Sequence, residues 1–139
     1  MSAFDNANRF FHACEGLEGW NGCKQYVAPG AGFVAQSDAL AEVNTVEGYT
    51  EWMAGLGLNL MPDCGYELHA SSYNEATRTA LYFATFSGTH TGEGGPVPPT
   101  NKRTNSHYVY VLTLDDNDLV SSMVKIWNSA WALNELGWT

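Results

Sequence analysis

Basic residues are scarce in this sequence: six Lys+Arg stand against 15 Asp+Glu, for a net charge of −9. A nucleic-acid surface needs a basic footprint to displace counterions from phosphates, and the one basic cluster here is Lys102-Arg103. The same deficit argues against an anionic membrane surface and against highly anionic substrates. Apolar runs are short as well. No stretch approaches the roughly 18 residues that a bilayer-spanning helix needs. The opening Met1-Ser2-Ala3-Phe4-Asp5 has neither the basic start nor the apolar run of a secretory leader. Cysteine is limited to Cys14, Cys23 and Cys64, an odd number without a CxxC pair, and these read as small buried hydrophobes with reduced thiols. Together these features lead to the expectation of a cytoplasmic protein. Charged residues of both signs make up only 15% of the chain, against roughly 25% in an average domain. Such a surface is covered by Ser, Thr, Asn and Gly or buried against a second copy, and a homodimer is the expectation here.

Apolar material is plentiful: 45% of the 139 residues are hydrophobic and 13% aromatic, enough for the core of one domain spanning 1–139. Phe4, Ala7, Phe10, Phe11, Cys14 and Leu17 recur at helical spacing and predict a helix over 3–17. Gly19-Trp20-Asn21-Gly22 reads as a break, followed by a short helix over 23–27. Pro29-Gly30 reads as punctuation before a short strand over 32–37. Asn44 with Glu47 three residues later is a capping-box-like start, and Val46, Tyr49, Trp52, Met53, Leu56 and Leu60 form the stripe of the helix it opens. Beyond Cys64 the period becomes two, giving strands over 66–74, 79–89, 106–114 and 119–128, then a last helix over 130–136. Helices first and an antiparallel run afterwards is the α+β pattern. Both faces of the later strands are apolar enough to be buried.

Three stretches, Phe86-Ser87-Gly88-Thr89-His90-Thr91-Gly92, Pro98-Pro99-Thr100-Asn101-Lys102 and Asn134-Glu135-Leu136-Gly137-Trp138, resemble the SnoaL-like polyketide cyclases. That family belongs to the NTF2-like, or ketosteroid-isomerase-like, fold group. The resemblance implies an α+β cone, cystatin-like in outline, with N-terminal helices packed on a strongly curved antiparallel sheet around one pocket; members are often dimers. Asn101 stands where the family loop usually has Gly, and Asn tolerates the positive φ such a turn can require. The family's cyclases commonly carry an acid about seven residues before the Gln of their Gln-Leu-Gly ending. Glu135 occupies that Gln position here, and counting back reaches Asn128, an amide that exchanges hydrogen bonds but not protons.

The resemblance therefore implies Asp38, near an Asp that serves as base in ketosteroid isomerases, as a candidate base; Gln36 is a second match to that place. A carboxylate facing an apolar pocket is poised for proton transfer, whereas a surface cap residue is not, and both readings stand for Asp38. His107 opens the strand where family members place a polar pocket residue, so it reads as an acid–base group or as an edge histidine in water. Asn128, with a tyrosine such as Tyr82, would hold a substrate oxygen. His12 falls nearly opposite the apolar stripe at about 100° per residue and reads as solvent-facing. Tyr49, Trp52, Tyr82, Phe86, Trp127 and Trp131 read as pocket walls or as core. The histidines lack the spacing of a metal site, so neither a metal nor a cofactor is expected. The 92–99 loop lacks the Gly-Lys-Ser/Thr of a phosphate loop and reads as a rim. Three functions follow: a pocket enzyme abstracting a proton from a small apolar carbonyl compound (isomerase, cyclase or dehydratase), a noncatalytic binder of a small apolar ligand, or a dimerising scaffold.

Overall fold

The computed structural model describes residues 2–139. Helix α1, Ala3–Glu15, begins at a capping box: the Asp5 amide donates to Ser2 Oγ (3.1 Å) and the Ser2 amide to Asp5 Oδ2 (3.2 Å). Its buried stripe of Ala7, Phe10, Phe11 and Cys14 lies on the sheet. The glycine-rich stretch expected to break the chain is instead helix α2, Gly19–Cys23, continued by a 3₁₀ turn over Lys24–Tyr26. A positive φ of 67° at Gly19 makes the corner between α1 and α2.

Strand β1 covers Val27–Ala35, so Pro29 and Gly30 lie within a strand rather than before it. A register shift between Val27 and Gly32 absorbs them, which an edge position permits. Helix α3, Val46–Gly55, is capped by Thr45 rather than Asn44: Thr45 Oγ1 accepts from the Gly48 amide at 3.0 Å. A π turn over Leu56–Leu60 extends the helix. Strands β2 (Gly65–Asn74), β3 (Thr79–Thr89), β4 (Arg103–Leu114) and β5 (Val120–Trp127) follow, and α4, Ser129–Glu135, closes the chain. The five-stranded curved sheet runs β1-β5-β4-β3-β2; β1 is parallel to β5 and every other pair is antiparallel. Among the described residues no helix is long and apolar enough to cross a membrane.

The inner face of the sheet carries Tyr82, Ala84 and Phe86 from β3, Tyr108, Tyr110 and Leu112 from β4, and Met123 from β5, all buried. Phe11 of α1 stacks on Tyr82 at 4.6 Å between ring centres and meets Tyr110 edge-on at 4.9 Å. The three stretches that carry the family resemblance converge at one end of this core. Trp138 Nε1 donates to His90 Nδ1 at 2.8 Å, Thr100 Oγ1 to the Leu136 carbonyl at 2.6 Å, and the Asn101 amide to the His90 carbonyl at 2.9 Å. Asn101 has φ of 59°, the left-handed conformation anticipated for the residue in the glycine position. Glu135 ties α4 to β4 by accepting from Thr104 Oγ1 and the Asn105 amide, both at 2.9 Å.

The shifted cap is directly testable. Thr45→Ala should cost about 1 kcal/mol in chemical denaturation, the usual loss of a helix N-cap, while Asn44→Ala should stay within about 0.5 kcal/mol of wild type.

Candidate functional site

One position on the apolar face of α1 is an acid. Glu15 lies four residues beyond Phe11 and eight beyond Ala7, so helical geometry directs it at the sheet, and only 5% of it remains exposed. A carboxyl buried this deeply needs hydrogen-bond donors, because an isolated buried charge costs many kcal/mol. Two phenols from β4 supply them: Tyr108 Oη donates to Glu15 Oε1 and Tyr110 Oη to Glu15 Oε2. Their spacing of two residues puts both rings on the inner face of one strand.

The same floor holds a buried amine. Lys125 lies on β5 between Met123 and Trp127 on the inward parity and is 6% exposed. Its Nζ donates to Tyr49 Oη at 2.8 Å, and Tyr110 Oη lies 3.2 Å from Tyr49 Oη. The carboxyl and the amine are thus linked through phenols and not by a direct ion pair. Aromatic rings surround the nitrogen: Trp127 at 4.8 Å, Tyr49 at 5.0 Å, Tyr108 at 5.2 Å and Trp52 at 5.6 Å from ring centre to Nζ. Desolvation pushes the Glu15 carboxyl above its ordinary value, against the opposing pull of Lys125 and the two phenols. Desolvation likewise holds the Lys125 amine down to about 8, with the charge of Glu15 pulling the other way. Burial raises Tyr49, Tyr108 and Tyr110, so all three remain hydroxyl donors.

Two small voids adjoin this floor. One, of about 10 Å³, borders Glu15, Tyr108 and Lys125 together with Trp52, Phe86 and Trp127. The second, of about 30 Å³, shares Trp52, Leu56, Phe86 and Trp127 and reaches Leu136 and Trp138; its lining is wholly apolar. By the usual measure of ~10–15 Å³ per water, the first takes one water-sized body. The interior is therefore a polar floor under an aromatic throat, closed at the far end by the Trp138–His90 hydrogen bond.

The residues expected to carry the chemistry lie elsewhere. Asp38 opens an exposed 3₁₀ turn, Asp38–Leu40, and lines neither void, so it is not the pocket-facing carboxylate that one reading required. Gln36 is exposed as well. His107 points outward from β4, its ring 5.4 Å from that of exposed Phe83, because an odd position on this strand faces away from α1. Asn128 is the N-cap of α4, its Oδ1 taken by the Trp131 amide at 3.1 Å. His107, Asn128 and Trp131 do meet, but in an open groove on the outer surface. Trp131 is 57% exposed and its Nε1 donates to the Asn105 carbonyl. Tyr82 is core: its ring stacks on Phe11 and its hydroxyl donates to Asn8 Oδ1 at 2.6 Å. Trp52, Phe86 and Trp127 line both voids, and Tyr49 stands in the floor. His12 is exposed and lies 2.8 Å from Tyr66 Oη. Among the described residues no group of three His, Cys, Asp or Glu side chains is placed to share a metal ion.

No family model matches the chain, and no curated protein matches it in sequence. Its fold, however, is shared over nearly its whole length with solved structures. A protein proposed to be a SnoaL-like polyketide cyclase, from Jannaschia sp. CCS1, is 18% identical with a TM-score of 0.77, over 96% of this chain and 90% of that one. The BvnE pinacolase from Penicillium brevicompactum is 12% identical with a TM-score of 0.71, over 95% and 86%. A protein of ketosteroid-isomerase-like fold from Catenulispora acidiphila, in complex with trimethylamine, is 13% identical with a TM-score of 0.68, over 95% and 92%. The chain has the SnoaL-like, NTF2-like fold.

The buried amine makes stability depend on pH with a definite sign. Between about pH 8 and 10.5 an unfolded chain holds a proton on Lys125 that the folded chain has released. Its contribution is complete above 10.5 and lost as pH falls through 8. Over that window wild type should gain on the order of 3 kcal/mol relative to Lys125→Met in chemical denaturation. Parallel pH profiles for the two proteins would contradict this.

Proposed function

We propose that this SnoaL-like cone acts on a small apolar carbonyl compound by removing and returning a proton beside the carbonyl, in the manner of an isomerase, cyclase or dehydratase. The observation that carries this reading is the position of Glu15: a carboxyl with a raised pKa bordering a void that shares Trp52, Phe86 and Trp127 with an apolar throat. A carboxyl raised above its ordinary value by burial holds and returns a proton more readily than a surface carboxylate, and Glu15 takes the role first considered for Asp38 and His107. Tyr108 and Lys125 border the same void and take the oxygen-holding role considered for Asn128 and Tyr82, since donors aimed at a developing enolate oxygen stabilise it strongly in a dry site. The voids as they stand hold water-sized bodies, so a compact ketone or aldehyde enters only with movement of the Trp52, Phe86 and Trp127 side chains that line both. The structural neighbours, a pinacolase among them, support a catalytic or ligand-binding cone without naming the reaction.

The scaffold reading has its own support, in the outer face of the sheet. Val34 and Ile126 are 57% and 59% exposed, and Leu81, Phe83 and Val124 about 40%. Register makes them neighbours: Val34 opposite Val124, Val124 opposite Val111, Val111 opposite Leu81, and Val109 between Ile126 and Phe83. A continuous apolar face of this kind marks an interface, and we assign it to a homodimer through the sheet. Dimerisation leaves the cone interior unexplained, because burying a carboxyl and an amine costs several kcal/mol per group and a scaffold has no use for them. The two readings therefore describe two faces of one sheet.

For the catalytic reading, exchange of α-protons of cyclopentanone with D2O, followed by proton NMR, is the direct assay. Glu15→Gln should lower the protein-dependent rate by about 10²–10⁴-fold, the usual worth of a general base. Asp38→Asn and His107→Ala should leave it unchanged; loss of exchange in either, with Glu15→Gln active, would return the base to the surface. For the interface, Ile126→Asp should convert a dimer to a monomer in light scattering without loss of helical and sheet signal. A monomeric wild type would end that assignment.

A further inference from the structure

Lys125 is more than a fixed positive charge at this site. An ammonium carries three N–H donors, yet the nitrogen makes one hydrogen bond, to Tyr49 Oη, and is otherwise faced by aromatic rings. That surrounding suits a neutral amine, or a cation with a single N–H to place, for which Tyr49 Oη is the acceptor. It borders the same void as Glu15 and Tyr108, beside the apolar throat to which Trp52, Phe86 and Trp127 also belong. A carbonyl compound seated there, as the preceding reading requires, lies against the amine as well as the carboxyl.

We propose that Lys125 is a nucleophile that condenses with an aldehyde or ketone to form a protonated imine, with Glu15 as its proton carrier. The neutral amine attacks the carbonyl carbon, the C–N bond forms, and the carbonyl π electrons move to oxygen. A nitrogen-bound proton passes to that oxygen, with the Tyr108 hydroxyl at hand as relay, giving a neutral carbinolamine. Protonated Glu15 then gives its proton to the hydroxyl, the C–O bond breaks, and water leaves while nitrogen supplies the electron pair for the C=N bond. The products are water, an iminium ion and the Glu15 carboxylate. That carboxylate is the base that removes the neighbouring C–H proton, whose electron pair neutralises the iminium as an enamine. Reprotonation and addition of water reverse the sequence and release the amine; no oxidant or reductant enters. The ring cage suits the iminium because it stabilises a cation without demanding hydrogen bonds. A low amine pKa, already argued from burial, keeps the nucleophile unprotonated for part of the time near neutral pH.

The chain has only three lysines, Lys24, Lys102 and Lys125, which makes the test clean. Wild-type protein is incubated at pH 7.5 with cyclopentanone and, separately, with butanal, each with sodium cyanoborohydride, and alkylation is mapped by peptide mass spectrometry. The expected result is alkylation at Lys125 at least ten times faster than at exposed Lys24 and Lys102, and its absence in Lys125→Arg, which keeps the charge but forms no imine under these conditions. A second variant, Lys125→Met, guards against misfolding of the first, with circular dichroism of both. Labelling of Lys24 and Lys102 as fast as Lys125, or no label at Lys125, overturns the imine. The proton-exchange assay separates the two readings. Exchange without label at Lys125 overturns the imine and keeps the proton-transfer reading. Label at Lys125 without exchange supports the imine and removes Glu15 as the carbon base. The absence of both overturns both.

Discussion

A carboxyl and an amine buried under one aromatic core set the terms for the rest of this molecule. Neither group can sit in an apolar interior without partners, and the fold supplies those partners from four separate elements. Glu15 comes from α1, Tyr49 from α3, Tyr108 and Tyr110 from β4, and Lys125 from β5. The network can close only when α1 and α3 are both seated on the inner sheet face in one register. A one-residue slip of β4 would turn both phenols to the outside and leave Glu15 unsatisfied. The polar floor therefore specifies the packing as well as the chemistry.

The sheet separates two chemically different faces. Its inner face ends in the Glu15–Lys125 floor, and its outer face carries the apolar band of Val34, Val124, Ile126, Leu81 and Phe83. An interface on the outer face would stiffen the strands that hold Tyr108, Tyr110 and Lys125 without touching the interior. The aromatic throat in turn leaves voids of about 10 and 30 Å³ beside the floor, and its far end is held by the link from Trp138 to His90. Every one of the three stretches that carry the family resemblance contributes to that end of the cone, which accounts for the clarity of the fold signal and the weakness of the chemical one: they build the closure, not the floor.

Periodicity and turn chemistry made the elements legible. The strand over 79–89 is observed at those bounds, and the α+β cone expected from the resemblance is the fold found. Local errors came from residues whose signal was overridden by context: Pro29-Gly30 inside an edge strand, glycines accommodated in α2, and Thr45 rather than Asn44 at the cap. The site was harder to read because functional residues break the pattern that reveals structure. Counting only apolar residues along α1 passes over Glu15, although the projection that turns His12 to solvent places Glu15 at the edge of the stripe, next to Phe4 and Phe11. On β5 the parity with Ser122, Val124 and Ile126 looks like the core face, yet it is the exposed one, because the inward parity gives a position to Lys125. The signal that would have found both is a lone charge at a position whose neighbours in period are all buried. Asp38, His107 and Asn128 were reached through the family's positions, and in this chain those positions are a surface turn, an outward strand residue and a helix cap.

The central claim is that Glu15 and Lys125 share a dry, phenol-lined floor. A pH titration by NMR of protein labelled with 13C at lysine Cε and glutamate Cδ tests it most directly. The account predicts that Lys125 titrates near pH 8, below the ordinary lysine value, and that the Glu15 carboxyl titrates above the ordinary glutamate value. Lys125 and Glu15 both titrating at the ordinary values of their residue types would contradict it.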